Sequence, residues 1–517
     1  MESSFLLLFA FISATSVLFV MGRLMFSWYI LPYLAYRKFV SNGFSGPKPS
    51  FPMGNLNDMR KKKDSISPSS KISNDIHSTV FPYFVEWQKL FGKVFVYWLG
   101  TEPFLYIANP EFLKNMSADI NGKSWGKPSV FKHDREPMFG NGLIMVEGQD
   151  WVRHRHAITP AFTPANLKAM AGMMVESANS MLDRWATLID SGRPEINVER
   201  EIICTAGEII SRTSFGVSYE NGREVLEKLR DVQIALFKSV RHVGVPYGKL
   251  LNPKLTLKSM KLGREIDALL LSIITERRNQ PRNGQPETTD LLGLLLAGNK
   301  TEGSPNNTIL TSKELVDECK TFFFGGHETT ALSLTWTLFQ LALHPEWQDR
   351  LREEIREVVG DAKNIDATML VGLKKMGWVM NEVLRLYPPA PNVQRQSRHD
   401  IRVGEFVIPK GTNMWIDLVS MHHDRNIWGE SVNEFKPERF KDDPIYGGCN
   451  HKMGYLPFGF GGRMCVGRNL SAMEYKIVLT LILSKFSFSL SQNYLHSPSI
   501  MLSLRPMHGL PLVFKQL

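Results

Sequence analysis

Cysteine is scarce in this chain: four in 517 residues (Cys204, Cys319, Cys449 and Cys465), with no CxxC anywhere. A disulfide framework or a zinc ribbon is therefore excluded, since both need several cysteines at short spacings. No internal repeat is visible. Neither sign of charge dominates, because 61 Lys and Arg against 51 Asp and Glu leave +10. A balance of that size suits an acidic partner, an anionic cofactor or a membrane surface without choosing among them. At 43% hydrophobic, 11% aromatic and 22% charged, usage is that of a globular protein, and disorder, collagen-like repeats and coiled-coil rods are excluded. The length allows a large buried core.

Phe5 to Gly22 carries no charge and, at 1.5 Å per residue, spans roughly 27 Å as a helix, enough to cross a bilayer. A second apolar run, Leu24 to Tyr36, ends at Arg37-Lys38. Glu2 precedes the first run, basic residues follow it (Arg23, Arg37, Lys38, Lys48), and no small-residue cleavage site stands before Arg23. A cleaved signal peptide is thus the weaker reading, and an N-terminal anchor with the bulk of the chain in the cytosol the stronger. We expect an anchor at 1–44, with its span at about 5–22, and one large domain at 64–517. Between them lie a proline-rich hinge and basic loop at 45–63, marked by Pro47, Pro49 and Pro52 and by Arg60 to Lys63.

From about residue 80 to residue 390 the pattern is mainly helical. Thr311 and Glu314 form a capping box, and helical pattern then runs to Leu343. Pro345 opens the next helix and Gly360 closes it. Strands are expected at 401–403, 406–408 and 414–416, with a turn at Pro409-Lys-Gly411. The expected class is mainly α with small β-sheets.

The richest stretch is Phe458-Gly-Phe-Gly-Gly-Arg-Met-Cys-Val-Gly467. Its glycines let backbone approach a ligand closely. A dinucleotide fingerprint counted from Gly459 needs glycine where Met464 stands, and no lysine follows as in a P-loop, so phosphate binding is disfavoured. The remaining reading is a metal ligand: a lone thiolate, in a loop whose amides can bond the sulfur, before an apolar helix whose N-terminus favours negative charge. One cysteine cannot make a zinc or iron–sulfur site, but it can be the axial ligand of a haem, and Arg463 offers a fork of donors to a haem propionate. The pattern F-G-x-G-x-R-x-C-x-G closely resembles the haem-binding loop of the cytochrome P-450 superfamily, the haem-thiolate monooxygenases.

Gly325-Gly-His-Glu-Thr-Thr330 stands in the middle of the long helix. Two interior glycines, each costing about 1 kcal/mol relative to alanine, indicate a need for space or a kink, with Glu328 and Thr329 beside it. The bland alternative is a helix–helix contact with a surface glutamate. The resemblance implies that this stretch lies over the haem, with Glu328 and Thr329 as the acid and hydroxyl that deliver protons during oxygen activation. Gly325 departs from the family's usual alanine there.

Glu382 and Arg385 are spaced i, i+3, as are Glu227/Arg230 and Glu353/Arg356, and such a pair alone is worth about 0.2–0.5 kcal/mol. The Pro388-Pro389 stop, then Pro437-Glu-Arg-Phe440, then the cysteine loop give the order of the family's structural triad, which implies a brace of Glu382, Arg385 and Arg439. The family's W-x-x-x-R implies that Trp151 and Arg155 stand beside a propionate, and His422 resembles a histidine near the same groups. Phe458, Arg463 and Cys465 complete the implied cofactor contacts. His154 and His156 leave a helix on different sides and make no metal pair. Cys204, Cys319 and Cys449 read as core or loop residues. The sequons at Asn115, Asn306 and Asn469 would face the cytosol unmodified.

The resemblance covers nearly the whole chain. It implies a haem b enzyme that hydroxylates a small apolar substrate with O2. Electrons would come from an NADPH-dependent flavoprotein reductase docked near Arg463, Arg468 and Arg153. It also implies a single-pass place in the endoplasmic reticulum membrane; no nucleic-acid partner is expected. Pocket segments implied are Ser124 to Gly140, Phe322 to Phe324, Pro389 to Val393 and Ser499 to Met501. Asp317 to Phe324 followed by Gly-Gly-His-Glu-Thr-Thr resembles the plant clan of cytokinin hydroxylases and gibberellin oxidases. A terpenoid, hormone-like substrate such as a gibberellin is expected first, a fatty acid or cytokinin next. A haem-thiolate isomerase or peroxygenase, and a non-catalytic haem sensor, remain the alternatives.

Overall fold

The N-terminal apolar stretch is helical throughout, as Glu2–Met25, a π turn Phe26–Ile30 and Leu31–Ser41. Pro32 has no N–H to give the preceding turn, which accounts for the change of register there. In this computed structural model, which describes residues 2–64, 72–117, 125–216, 219–237, 242–279, 290–298, 310–360 and 365–517, residues 5–23 are exposed. The run Phe5–Ser41 is long and apolar enough to cross a membrane, with a mean hydropathy of 2.3 in its most apolar window. It extends past the expected span, and its end docks: Phe39 is buried, and Tyr36 and Phe39 each meet Trp98 at 6.5 Å.

The stretch expected as a hinge is pinned along the strand Val94–Leu99. Val96 N donates to Ser45 O, Asn55 N to Trp98 O and Trp98 N to Asn55 Oδ1, all at 2.9 Å. Arg60 to Lys63 lie on a helix, Leu56–Asp64, and not in a loop; Asp58 in its first turn and the lysines in its last suit the helix dipole.

The long helix Ser312–Leu343 begins in the expected capping box. Thr311 Oγ1 accepts from Glu314 N at 3.2 Å, and Thr311 N donates to Glu314 Oε2 at 2.8 Å. Pro345–Val358 follows, closed by Gly360 at φ +66°. The helix Val198–Phe215 lies along the long helix, with Phe215 stacked on Phe323 at 4.1 Å. The helix that follows the cysteine loop, Arg468–Lys485, also meets the long helix, where Thr330 and Ser471 hydroxyls bond at 2.9 Å. The middle of the long helix and the cysteine loop are thereby held together.

Strands Ile401–Val403 and Phe406–Ile408 stand where expected and pair antiparallel with each other. The third, Asn413–Asp417, joins instead a five-stranded sheet in the order Val94–Leu99, Glu102–Ile107, Asn413–Asp417, Asn392–Ser397, Trp125–Gly126. Its first two strands fall inside the stretch expected to be helical. Val94–Leu99 is almost wholly buried, so its sequence lacks the polar alternation that marks a half-exposed strand. Three further strands, Glu195–Asn197, Phe486–Leu490 and Pro511–Gln516, form a C-terminal sheet. The chain is mainly α with small sheets.

Candidate functional site

The cysteine loop turns on Gly459 and Gly461, at φ +74° and +63°, conformations an L side chain rarely adopts; a Cβ on either would meet nothing within 4 Å. Cys465 N donates to Phe458 O at 3.0 Å, so Phe458 positions the cysteine through its backbone. Burial pushes the Cys465 thiol up, opposed by the amides of Gly467 and Arg468 and by the guanidiniums of Arg155 and Arg468. The amides and cations favour the thiolate, and a metal ion would supply what burial withholds. Cys465 nevertheless keeps exposed surface, and Gly325 does too, in the middle of a helix that is otherwise mostly buried.

Around the cysteine loop the structure gathers cations. On the helix Gly148–Ile158, Arg155 Nη1 donates to Met464 O at 3.0 Å, and the Arg463 guanidinium lies 4.8 Å from the Trp151 ring. Arg463 Nη2 also donates to Trp125 O at 3.1 Å and Val146 O at 3.0 Å. Trp151, Arg155 and Arg463 are therefore brought together as expected. His154, on the same helix, ties it to the long helix through Nδ1 and Glu318 Oε1 at 2.5 Å. Burial opposes charge on that imidazole, but Glu318 outweighs it and raises the pKa. His156 is exposed on the other side.

Two cations of the same group escaped the sequence reading. Arg395, 4% exposed on the strand Asn392–Ser397, lies 5.7 Å from the Phe460 ring. Burial, then Arg463, push its pKa down to about 9. Lys127 is driven well below its ordinary value by burial and by Arg395, Arg463 and Arg135. Among the described residues no carboxylate pairs with Lys127 or Arg395. Clustered buried cations are costly unless an anion joins them. A haem, with two propionates on an apolar macrocycle and an iron that takes a thiolate, fits this donor set.

On the long helix, the two glycines separate in role. A Cβ on Gly326 would stand 2.3 Å from Ile210 Cδ1, so Gly326 serves close helix packing, while Gly325 meets nothing within 4 Å. Thr329 Oγ1 donates back to Gly325 O at 2.8 Å. Glu328 is buried and turned elsewhere. Its Oε1 accepts from Gln233 Nε2 at 2.7 Å, from Ser503 Oγ, and from Arg505 Nη2 at 3.2 Å. Burial raises its pKa to about 7, against the pull of the Ser503 and Gln233 hydrogen bonds. The acid and the hydroxyl are adjacent in sequence but not hydrogen-bonded to each other. Phe322, Phe323 and Phe324 pack on Phe162, Phe215 and Phe139 respectively.

The implied triad is present: Arg385 Nε and Nη2 reach Glu382 Oε2 and Oε1, both at 2.8 Å, and Arg439 Nε reaches Oε1 at 3.3 Å. His422 belongs to this brace and not to the cations, a correction of its expected place. Its ring has no exposed surface, its Nε2 accepts from Leu456 N at 3.1 Å and its carbonyl accepts from Arg385, while its Nδ1 is buried with no partner among the described residues. Of the arginines expected to meet a reductase, Arg463 turns inward and Arg153 is engaged by Glu314 and Asp150, while Arg468 is exposed. Cys319 is buried, Cys449 half-buried with its thiol on His451 O at 2.9 Å, and Cys204 exposed. Ser124 and the Asn306 sequon lie outside the described residues.

A family model described as Cytochrome P450 matches residues 72–508. Two proteins of Arabidopsis thaliana named cytokinin hydroxylase are 36% and 38% identical, over 98% and 95% of this chain and 98% and 94% of their own lengths. Cytochrome P450 714C2 of Oryza sativa subsp. japonica is 35% identical over 95% of this chain and 94% of its own length.

Proposed function

The chain belongs to the cytochrome P450 family, as an oxidoreductase of the monooxygenase type, and from that premise we propose that it is a membrane-anchored hydroxylase of a small, largely apolar, hormone-like molecule. The observation that carries this is Cys465, with exposed surface in a glycine-turned loop, beside two buried cations, Lys127 and Arg395, with which no carboxylate pairs among the described residues. Haem, when bound, supplies the activation of O2 and the attack on a C–H bond. Cys465 is its thiolate ligand. Arg155, Arg463, Arg395 and Lys127 hold its propionates, and Trp151 fixes the Arg463 plane by stacking. The triad holds the loop's surroundings rigid and takes no part in the chemistry.

Glu328 stores a proton. With a pKa of about 7 it is protonated and ionised in comparable amounts at neutral pH, the condition under which a group both gives and regains protons readily. Delivery towards Thr329 requires the carboxyl to leave Gln233, Ser503 and Arg505, or a water to connect them. Arg505 sets how easily it leaves.

The helix Phe5–Ser41 anchors the chain in the endoplasmic reticulum membrane, with the domain in the cytosol. Electrons come from NADPH through a flavoprotein reductase. The substrate is a terpenoid such as a gibberellin. A cytokinin is the second reading, favoured by the two relatives named cytokinin hydroxylase. The test is incubation of the purified full chain with reductase, NADPH and extracted plant metabolites. A product heavier by one oxygen, formed only with all components, is expected. Haem binding without NADPH consumption under any fraction would show a sensor, and turnover with peroxide alone would show a peroxygenase.

A further inference from the structure

Arg135 is a buried cation that the haem-facing group does not need. It lies on the helix Ser129–Phe139 and is 8% exposed. Its Nη1 donates to Gln394 Oε1 at 3.0 Å, its Nε has no partner, and its guanidinium lies 4.2 Å from the Phe131 ring and 5.5 Å from that of Phe237. Among the described residues no carboxylate pairs with it. Gln394 Nε2 is spent on Asn392 Oδ1 at 2.9 Å, which leaves its Oε1 directed at Arg135.

Arg395 and Gln394 are neighbours on one strand, so their side chains leave on opposite faces. Arg463 lowers Arg395 directly, whereas Arg135 enters that group only through Lys127. Arg135 thus stands where Ser129–Phe139, Asn392–Ser397 and the end of Tyr219–Phe237 meet, beside Lys127 of the cation group. A guanidinium set between two phenyl rings, with donors to spare, matches a planar oxyanion bidentately.

We propose that Arg135, oriented by Gln394, is a specificity residue that pairs with an anionic oxygen group, carboxylate or phosphate, on an otherwise apolar substrate. This rests on the proposed hydroxylation of an apolar molecule and adds a charge to it. Gibberellic acid against its methyl ester, and isopentenyladenosine 5′-monophosphate against isopentenyladenosine, separate the two sources of the anion.

Each is titrated into the haem-loaded full chain, and binding is read from the shift of the haem absorption band. In one pair the anion binds about tenfold more tightly or better than its neutral partner, the worth of a charged hydrogen bond. Gln394→Glu, nearly isosteric, supplies an internal carboxylate to Arg135 and erases that preference while the neutral affinity remains. Arg135→Gln erases it too. Equal affinities within both pairs, or no binding of either anion at millimolar concentration, would overturn the proposal. So would equal weakening of anion and neutral partner in the variants, the mark of a mere brace, or haem loss in Arg135→Gln, the mark of a propionate ligand. Oxygenation of a neutral member without preference would leave the proposed hydroxylation standing and remove the anion subsite alone.

Discussion

Replacing Arg385 by leucine should abolish folding, although the same i, i+3 spacing is worth almost nothing on a helix surface. Arg385 has no exposed surface. It gives two hydrogen bonds to Glu382 at 2.8 Å, and one each to the carbonyls of His422 at 2.9 Å, Val432 at 2.7 Å and Glu434 at 3.3 Å. Without it, the Glu382 carboxylate keeps only Lys436 N at 3.0 Å and Arg439 Nε at 3.3 Å. Breaking a buried pair costs about 3–5 kcal/mol, and each carbonyl left dry about 1–3 kcal/mol. The sum, about 6–14 kcal/mol, is of the same size as the roughly 5–15 kcal/mol that holds a domain folded. Arg223, paired with Glu227 at 2.7 Å with both side chains more than 60% exposed, is the control. In urea titrations followed by tryptophan fluorescence, Arg223→Leu should match the wild type, and Arg385→Leu should show no cooperative transition. An Arg385→Leu midpoint close to that of Arg223→Leu would refute the reasoning.

Arg395→Leu should act with opposite sign on the two forms of the protein. It removes a buried like charge and raises the thermal midpoint without haem, yet speeds haem loss from the loaded protein; a fall in both would contradict the propionate role. Gly326→Ala should cost about 1–3 kcal/mol by overpacking, because its Cβ would stand 2.3 Å from Ile210 Cδ1, and Ile210→Ala in the same chain should recover part of it. Gly325→Ala should be tolerated, and denaturation midpoints of the three variants decide. Burial pushes His422 down to about 3 and His423 to about 4. As pH falls below about 6.5 the unfolded chain binds protons that the folded chain refuses, so stability declines from there towards 4. His422→Asn should flatten that decline in a thermal scan against pH, and an unchanged slope would refute it.

What the sequence made legible was what is local. The capping box at Thr311, the stop at Gly360 and the cysteine loop depend on residues within a few positions of each other, and all three stand as expected. The site's charge was only half legible. Arg155 and Arg463 were found because each sits in a short pattern, whereas Lys127 and Arg395 come from separate segments and join only when the five-stranded sheet forms. Neither Glu328's direction nor His422's place follows from spacing, since both are decided by partners far along the chain: Arg505 and Gln233 for the first, Leu456 and Arg385 for the second. The strands Val94–Leu99 and Glu102–Ile107 were hidden because both are largely buried, and burial on both faces erases the alternation that reveals a strand.

The central claim is that Cys465 holds a haem iron as thiolate. The carbon monoxide difference spectrum of the reduced, purified full chain tests it directly. The wild type should give the band characteristic of a thiolate-ligated haem, and Cys465→Ser should lose that band while Cys204→Ser keeps it. A thiolate-type band that survives in Cys465→Ser would contradict the assignment.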